Sequence, residues 1–191
     1  MMQADYYTLP NVLADAEVRY LTSIAEPNVV RSGIGGRNTE KTLLRKIKDI
    51  RKRRSTSYFF IKGRDRDADD ILEKVVGRFQ YVANTFYGVD LNCIEPIQYT
   101  RYGVFNHYGW HMDTAPIVED GETARLLSAS VELCDPNEYL NGGLEFRDHP
   151  NRRPNVKKGT MTCFPSLMIH RARPVFWGNR SSLVLWGGYH G

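Results

Sequence analysis

The sequence predicts a mainly β fold braced by N-terminal helices, and three observations carry that prediction. Two apolar patterns of helical period occupy the first 90 residues. From Leu91 onward the texture changes to short β-type runs separated by turn residues, the pattern of an all-β sandwich or barrel. With 191 residues, 41% hydrophobic and 25% charged, the chain has the length and balance of one soluble globular domain. A multidomain machine and a disordered chain are both excluded.

After a short strand-like start, Asn11 is positioned to cap a helix in which Leu13, Ala16, Leu21 and Ile24 recur before Pro27 closes it. Gly33, Gly35 and Gly36 mark a loop. In the segment Lys41 to Arg54, Leu43, Leu44, Ile47 and Ile50 form one stripe with cations around the remainder, which predicts an amphipathic surface helix. Ser57 to Ile61 reads as a strand. A second clear helix follows the acidic cap region Asp69-Asp70, with Ile71, Leu72, Val75, Val76, Phe79, Val82, Ala83 and Phe86 in helical period and Gly88 at its end. The candidate strands behind it are Ile94 to Tyr102, Trp110 to Asp113, Leu126 to Cys134, Leu144 to Arg147, Thr160 to Phe164, Met168 to Arg171 and Ser182 to Trp186. Gly142-Gly143, Gly159, Phe164-Pro165 and Gly178-Asn179 punctuate them. Residues 1–90 thus read as a mainly helical support and 91–191 as the β core of one domain.

The net charge of +4 invites a nucleic-acid reading, but the charge is local. Lys41 to Arg54 holds eight cations against Asp49, a net of +7, which leaves −3 for the rest of the chain. The segment reads as a solvated helix face, with a surface for an acidic partner as the alternative. Cys93, Cys134 and Cys163 are odd in number and form no CxxC pair, so neither a disulfide framework nor a cysteine zinc site fits. They read as small core residues. No signal-peptide pattern opens the chain, and no apolar run approaches the ~20 residues of a membrane span. A reducing cytoplasm is the expected compartment, with no membrane partner.

His111-Met112-Asp113 is an H-x-D triplet, and on a strand the period of two turns imidazole and carboxylate to one face. About one chain in three of this composition carries such a triplet by chance. The downstream context adds weight, because His170 follows a strand and a Phe-Pro turn, Arg180 lies ten residues further on and Ser182 two beyond that. Two histidines and one carboxylate form the facial set of non-haem Fe(II) and leave three positions open for oxygen chemistry. A 2-oxo acid fills two of them, and a planar arginine fork suits its far carboxylate. His107 and His149 read as solvated or hydrogen-bonded histidines.

Several ordered blocks carry a family resemblance. They are Gln98 to Tyr102, Tyr108 to Asp113, Leu127 to Leu133, Glu138 to Glu145, Gly159 to Ser166, His170-Arg171 and Arg180 to Trp186. Together they resemble the Fe(II)/2-oxoglutarate dioxygenases of the prolyl 4-hydroxylase type, including small bacterial and phage-encoded members and PKHD-type hydroxylases. The resemblance is strong over residues 94–191 and general over the front half. It implies a double-stranded β-helix, or jelly roll, that uses Fe(II), O₂ and 2-oxoglutarate as co-substrate, with ascorbate as a reductant. It implies His111, Asp113 and His170 as iron ligands, and Arg180, Tyr102 and Ser182 as co-substrate contacts. On the substrate side it implies Tyr108, Trp110, Arg125 and His190. Glu132 stands where prolyl hydroxylases often carry an aromatic residue, and Glu145 where a hydroxyl is common. A carboxylate there repels the co-substrate's own carboxylate unless a cation lies between. The implied activity is hydroxylation of a prolyl or other residue in a protein or peptide. Two alternatives stay open: an oxygenase of a free amino acid, small metabolite or nucleobase, and a non-catalytic jelly-roll binding module touching nucleic acid through its basic segment.

Overall fold

A computed structural model describes residues 5–32, 52–113 and 124–189. The first strand, β1 (Tyr7–Leu9), leads to α1 (Asp15–Ala25), closed by a 3₁₀ turn carrying Pro27. Then come β2 (Val30–Arg31), β3 (Arg53–Arg54), β4 (Thr56–Phe59) and α2 (Arg66–Val82). The β core runs β5 (Cys93–Ile94), β6 (Gln98–Tyr102), β7 (His107–His111), β8 (Ala124–Glu132), β9 (Tyr139–Asn141), β10 (Leu144–Phe146), β11 (Met161–Pro165), β12 (His170–Ala172), β13 (Val175–Gly178) and β14 (Arg180–Tyr189). No helix among the described residues is long and apolar enough to cross a membrane.

Among the described residues all strand pairs are antiparallel. A major sheet runs β1-β11-β8-β14-β6-β4-β2, with β5 pairing the far end of β14, and a minor sheet runs β10-β12-β7-β3. From β6 to β8 and again from β10 to β12 and β14, the chain alternates between the two sheets. That alternation winds a double-stranded β-helix. The β9–β13 pair closes one side.

The period of two on the major sheet separates two environments. Tyr99, Ala129, Val131, Met161, Cys163, Leu183 and Leu185 are at most 0% exposed and form one core with α1 and α2. The alternate positions, Thr100, Tyr102, Ser130, Thr162, Phe164 and Ser182, face the space between the sheets. Apolar side chains therefore bind the helices to one face while polar ones, equally buried, line the interior. On α2 the buried Leu72, Val75, Phe79 and Val82 follow the 3–4–3 spacing of a helix face.

Several local expectations change. Asn11 does not cap α1: it takes a left-handed turn at φ 56, and the Ala14 amide is capped by the Glu17 carboxylate at 2.8 Å. The cap of α2 is Asp65, which accepts from the Ala68 amide, so the helix starts before Asp69-Asp70. At its far end a π turn, Ala83–Tyr87, carries the chain to Gly88 at φ 61. Most of the amphipathic helix expected over Lys41 to Arg54 lies outside the described residues, but Arg53 and Arg54 form a strand paired with β7. Glu95-Pro96 splits the strand expected over Ile94 to Tyr102, because proline offers no ladder amide. The strands β9 and β13 were too short for their pattern to register. Cys163 is buried, whereas Cys93 and Cys134 are half-buried; none is in a disulfide.

Candidate active site

The minor sheet positions the centre of the site. His111 ends β7 and His170 opens β12, and the two are direct partners in the antiparallel register. Asp113 follows two residues past the strand end, where its amide donates to the Ser166 carbonyl at 2.9 Å. The ligand atoms of these three residues lie within 4.8 Å of one another.

Their hydrogen bonds define what they present. His111 Nδ1 lies 2.8 Å from the Gly109 carbonyl oxygen and His170 Nδ1 lies 2.9 Å from that of Met168. A carbonyl oxygen only accepts, so each Nδ1 carries the proton and each Nε2 presents a lone pair. Those lone pairs face the Asp113 oxygens at 3.4 and 3.6 Å. Acceptors aimed at acceptors repel unless a cation stands among them. The donor set therefore fits a divalent metal, and two imidazoles with one carboxylate fit Fe(II). Burial holds the His170 imidazole below its ordinary value against the pull of Asp113, which keeps it neutral and able to ligate.

Tyr108 stacks on His111 with ring centroids 3.6 Å apart, and Phe164 meets His170 edge-on at 4.7 Å. These contacts fix both imidazoles. A cavity between the sheets joins the three ligands to Tyr102, Arg180 and Ser182 of the major sheet. Register explains the last two: Arg180 pairs with Tyr102 and Ser182 with Thr100, so both face inward from β14. Two buried polar atoms on this cavity, Thr100 Oγ1 and Trp186 Nε1, have no hydrogen-bond partner. Unsatisfied buried donors are costly, and a polar molecule such as an oxo acid would satisfy them.

The remaining sequence candidates separate. Tyr108 lines the cavity. Arg125 does not line it but sits beside it: its Nη2 donates to Glu95 at 2.6 Å, its Nη1 to the Asp113 carbonyl at 3.0 Å, and its guanidinium covers the Trp186 ring. Trp110 lies away from the cavity, with the Arg171 guanidinium 4.4 Å from its ring centre. His190 lies outside the described residues. Glu145 is turned away from the cavity into a cluster with Arg171, Arg152 and Arg173, so it does not face the co-substrate position. Glu132 does not line this cavity either, but it is bonded to Arg180, which does. His149 bonds Asp5 at 2.6 Å and packs on Tyr6.

Sequence reasoning missed Arg53, which lines the cavity and lies 4.7 Å over the Tyr108 ring. Its signal was present but masked by the cations before it. Ser55 and Ser57 are buried at the alternate positions, so a period of two already begins at Arg53.

Comparison with known proteins agrees with this geometry. The family model of the 2OG-Fe(II) oxygenase superfamily matches residues 97–188. A PKHD-type hydroxylase of Nitrosomonas europaea is 28% identical over 91% of this chain and 74% of its own length. Two PKHD-type hydroxylases of Klebsiella pneumoniae are 34% identical but align with only 46% of this chain; the chain spans 41% and 40% of their length. Among solved structures, a Pseudomonas putida prolyl-4-hydroxylase superposes with TM-score 0.70 at 17% identity, covering 96% of this chain and 92% of its own. A prolyl hydroxylase in complex with a hypoxia inducible factor oxygen degradation domain peptide fragment, from Trichoplax adhaerens, gives TM-score 0.68 at 19% identity over 97% and 84%. The Nitrosomonas europaea likeness and the two structural likenesses extend over the helical front as well as the β core.

Proposed function

We propose that the chain is a 2OG-Fe(II) oxygenase of the prolyl 4-hydroxylase and PKHD type, and that it hydroxylates a prolyl or other residue of a protein or peptide. The observation that carries this reading is the convergence of three metal-competent acceptors in a cavity whose opposite wall holds Arg180, Tyr102 and Ser182. When bound, Fe(II) supplies the redox chemistry by which 2-oxoglutarate and O₂ become succinate, CO₂ and a hydroxylated C–H position. His111, Asp113 and His170 would hold the metal through Nε2, carboxylate oxygen and Nε2. Arg180 would receive the distal carboxylate of 2-oxoglutarate, with the Tyr102 and Ser182 hydroxyls as further donors. Burial pushes the Tyr102 phenol up, so it stays a neutral donor. Phe164 and Val184 would keep water from the reacting centre.

On the substrate side, Tyr108 and Arg53 stand next to His111, and Arg125 links the Asp113 carbonyl to Glu95. A peptide fits this reading because a solved relative of the same fold is held with a peptide fragment. Ascorbate would keep the metal ferrous, the whole chain would act as one dioxygenase unit, and a reducing cytoplasm would suit cysteines that form no disulfide.

The test is anaerobic titration with Fe(II) and 2-oxoglutarate, which is expected to produce a weak visible charge-transfer band. Asp113→Ala is expected to abolish it. No band from the folded wild-type protein would overturn the reading. Succinate release over a panel of peptides, free amino acids and nucleobases then identifies the substrate.

A further inference from the structure

Arg180 enters the co-substrate cavity already engaged. Its Nε and Nη2 both donate to one oxygen of Glu132, Oε2, at 2.9 and 2.8 Å, and the two side chains are only 4% and 3% exposed. The pairing follows from register: β14 lies beside β8 with Ser182 opposite Glu132, and both side chains turn to the interior. The second oxygen, Oε1, is buried and accepts no hydrogen bond. Arg180 also lines a second, outer cavity of about 560 Å³, and Glu132 belongs to its wall. Glu132 thus borders the outer space, and Arg180, which it holds, borders both that space and the metal-side one.

A carboxylate arriving there meets a guanidinium whose charge is balanced. Two carboxylates buried against one guanidinium leave an uncompensated negative charge, the arrangement that low dielectric penalises most. The other groups around Glu132 offer little relief. Tyr139 on β9 is a phenol pushed up to about 12 by burial, and Tyr102 on β6 is likewise held neutral. Cys134 beyond β8 is a thiol pushed up to about 11, and Glu138 adds a like charge. The Cys134 amide favours the ionised carboxyl. Of the cations on the outer cavity, Arg173 lies 3.6 Å from Glu145, and Arg153 makes no ion pair with Glu132. The cheapest way to remove the excess charge is one proton on Glu132, whose buried carboxyl is already pushed upward by desolvation.

We propose that Glu132 is a specificity residue for the oxo acid: it holds Arg180 in the empty pocket and takes up one solvent proton when a 2-oxo dicarboxylate binds. The resulting carboxylic acid remains on Arg180 through one oxygen and donates its new O–H to the distal carboxylate of the ligand. This rests on the dioxygenase reading above and goes further, since it sets which oxo acids the pocket accepts and at what pH. The complex carries one more proton than its components, so affinity for a dicarboxylate falls as pH rises, by up to about tenfold per unit. A 2-oxo acid ending in a neutral amide or hydroxyl needs no proton and lacks that dependence.

Calorimetry on Mn(II)-loaded protein, which binds without turnover, tests the proposal. 2-Oxoglutarate is titrated between pH 6.5 and 8.5 in two buffers of different ionisation enthalpy. About one proton taken up per ligand and a dissociation constant that climbs with pH are expected. Glu132→Gln, which keeps an acceptor for Arg180 and a donor for the ligand, is expected to bind at least tenfold more tightly at pH 8.5 and to lose both effects. Binding by wild type with no proton uptake and no pH dependence overturns the role of Glu132 while leaving the dioxygenase reading intact. No binding at any pH overturns both. The wild-type proton count stands even if the variant does not fold.

Discussion

Each ligand histidine uses one ring nitrogen on a backbone carbonyl, and that choice leaves Nε2 free for metal. The orientation is built from main-chain carbonyls two residues upstream in both cases, Gly109 on β7 and Met168 in the turn before β12, so it survives most side-chain changes nearby. Asp113 depends on its neighbours. Its amide is held by the Ser166 carbonyl and its own carbonyl by Arg125. Replacing Arg125 by Ala should therefore weaken metal binding by about 10- to 100-fold, as losses behind a metal ligand generally do, with the fold retained. Competition titration with a metal indicator measures it. Asp113→Ala should remove binding altogether. At this scale the sequence was most legible: the H-x-D spacing and the later histidine named the three candidate ligands that the structure brings together, because ligand chemistry is a property of residue type. Arg53, Trp186 and the Arg180–Glu132 bond were not legible, since each depends on which strands become neighbours.

Among the elements, α2 and the turn at Gly159 carry most of the bracing. Phe79 is fully buried against β14 and β8, so Phe79→Ala should cost about 3–5 kcal/mol in urea unfolding. Gly159 sits at φ +79, and a Cβ there would lie 2.3 Å from the Leu13 carbonyl oxygen. Its own carbonyl accepts the Val12 amide at 2.8 Å, tying the entry of α1 to the core. Gly159→Ala should destabilise the protein by about 1–3 kcal/mol from backbone strain alone, and further from the clash, read by thermal unfolding. Helical period found both helices, yet both starts moved, to Ala14 and Asp65. Cap position depends on which donor meets which acceptor, and several acidic residues competed for each. Proline split one strand and a two-residue strand was hidden behind a basic run, because two residues cannot show a period.

For the whole molecule, metal and oxo acid bind only the folded state and so should stabilise it. At 100 times the dissociation constant of the ligand the gain is about 2.7 kcal/mol, a rise in melting temperature of about 5–10 °C for a chain of this size. Differential scanning fluorimetry with Mn(II) and 2-oxoglutarate should show it for wild type and not for His170→Ala. The amino-acid sequence by itself determined the β core with its helical brace, and it pointed to the three metal-competent residues and the arginine that share one cavity. Residue type, period and spacing are local properties and are written along the chain. Only the tertiary structure decided that the polar rows of four strands face the space between the sheets, that the buried Glu145 turns into a cluster with Arg152, Arg171 and Arg173, and that Glu132 turns against Arg180. Those outcomes follow from antiparallel register, which assigns each side chain to a face and brings residues 48 positions apart into one hydrogen bond.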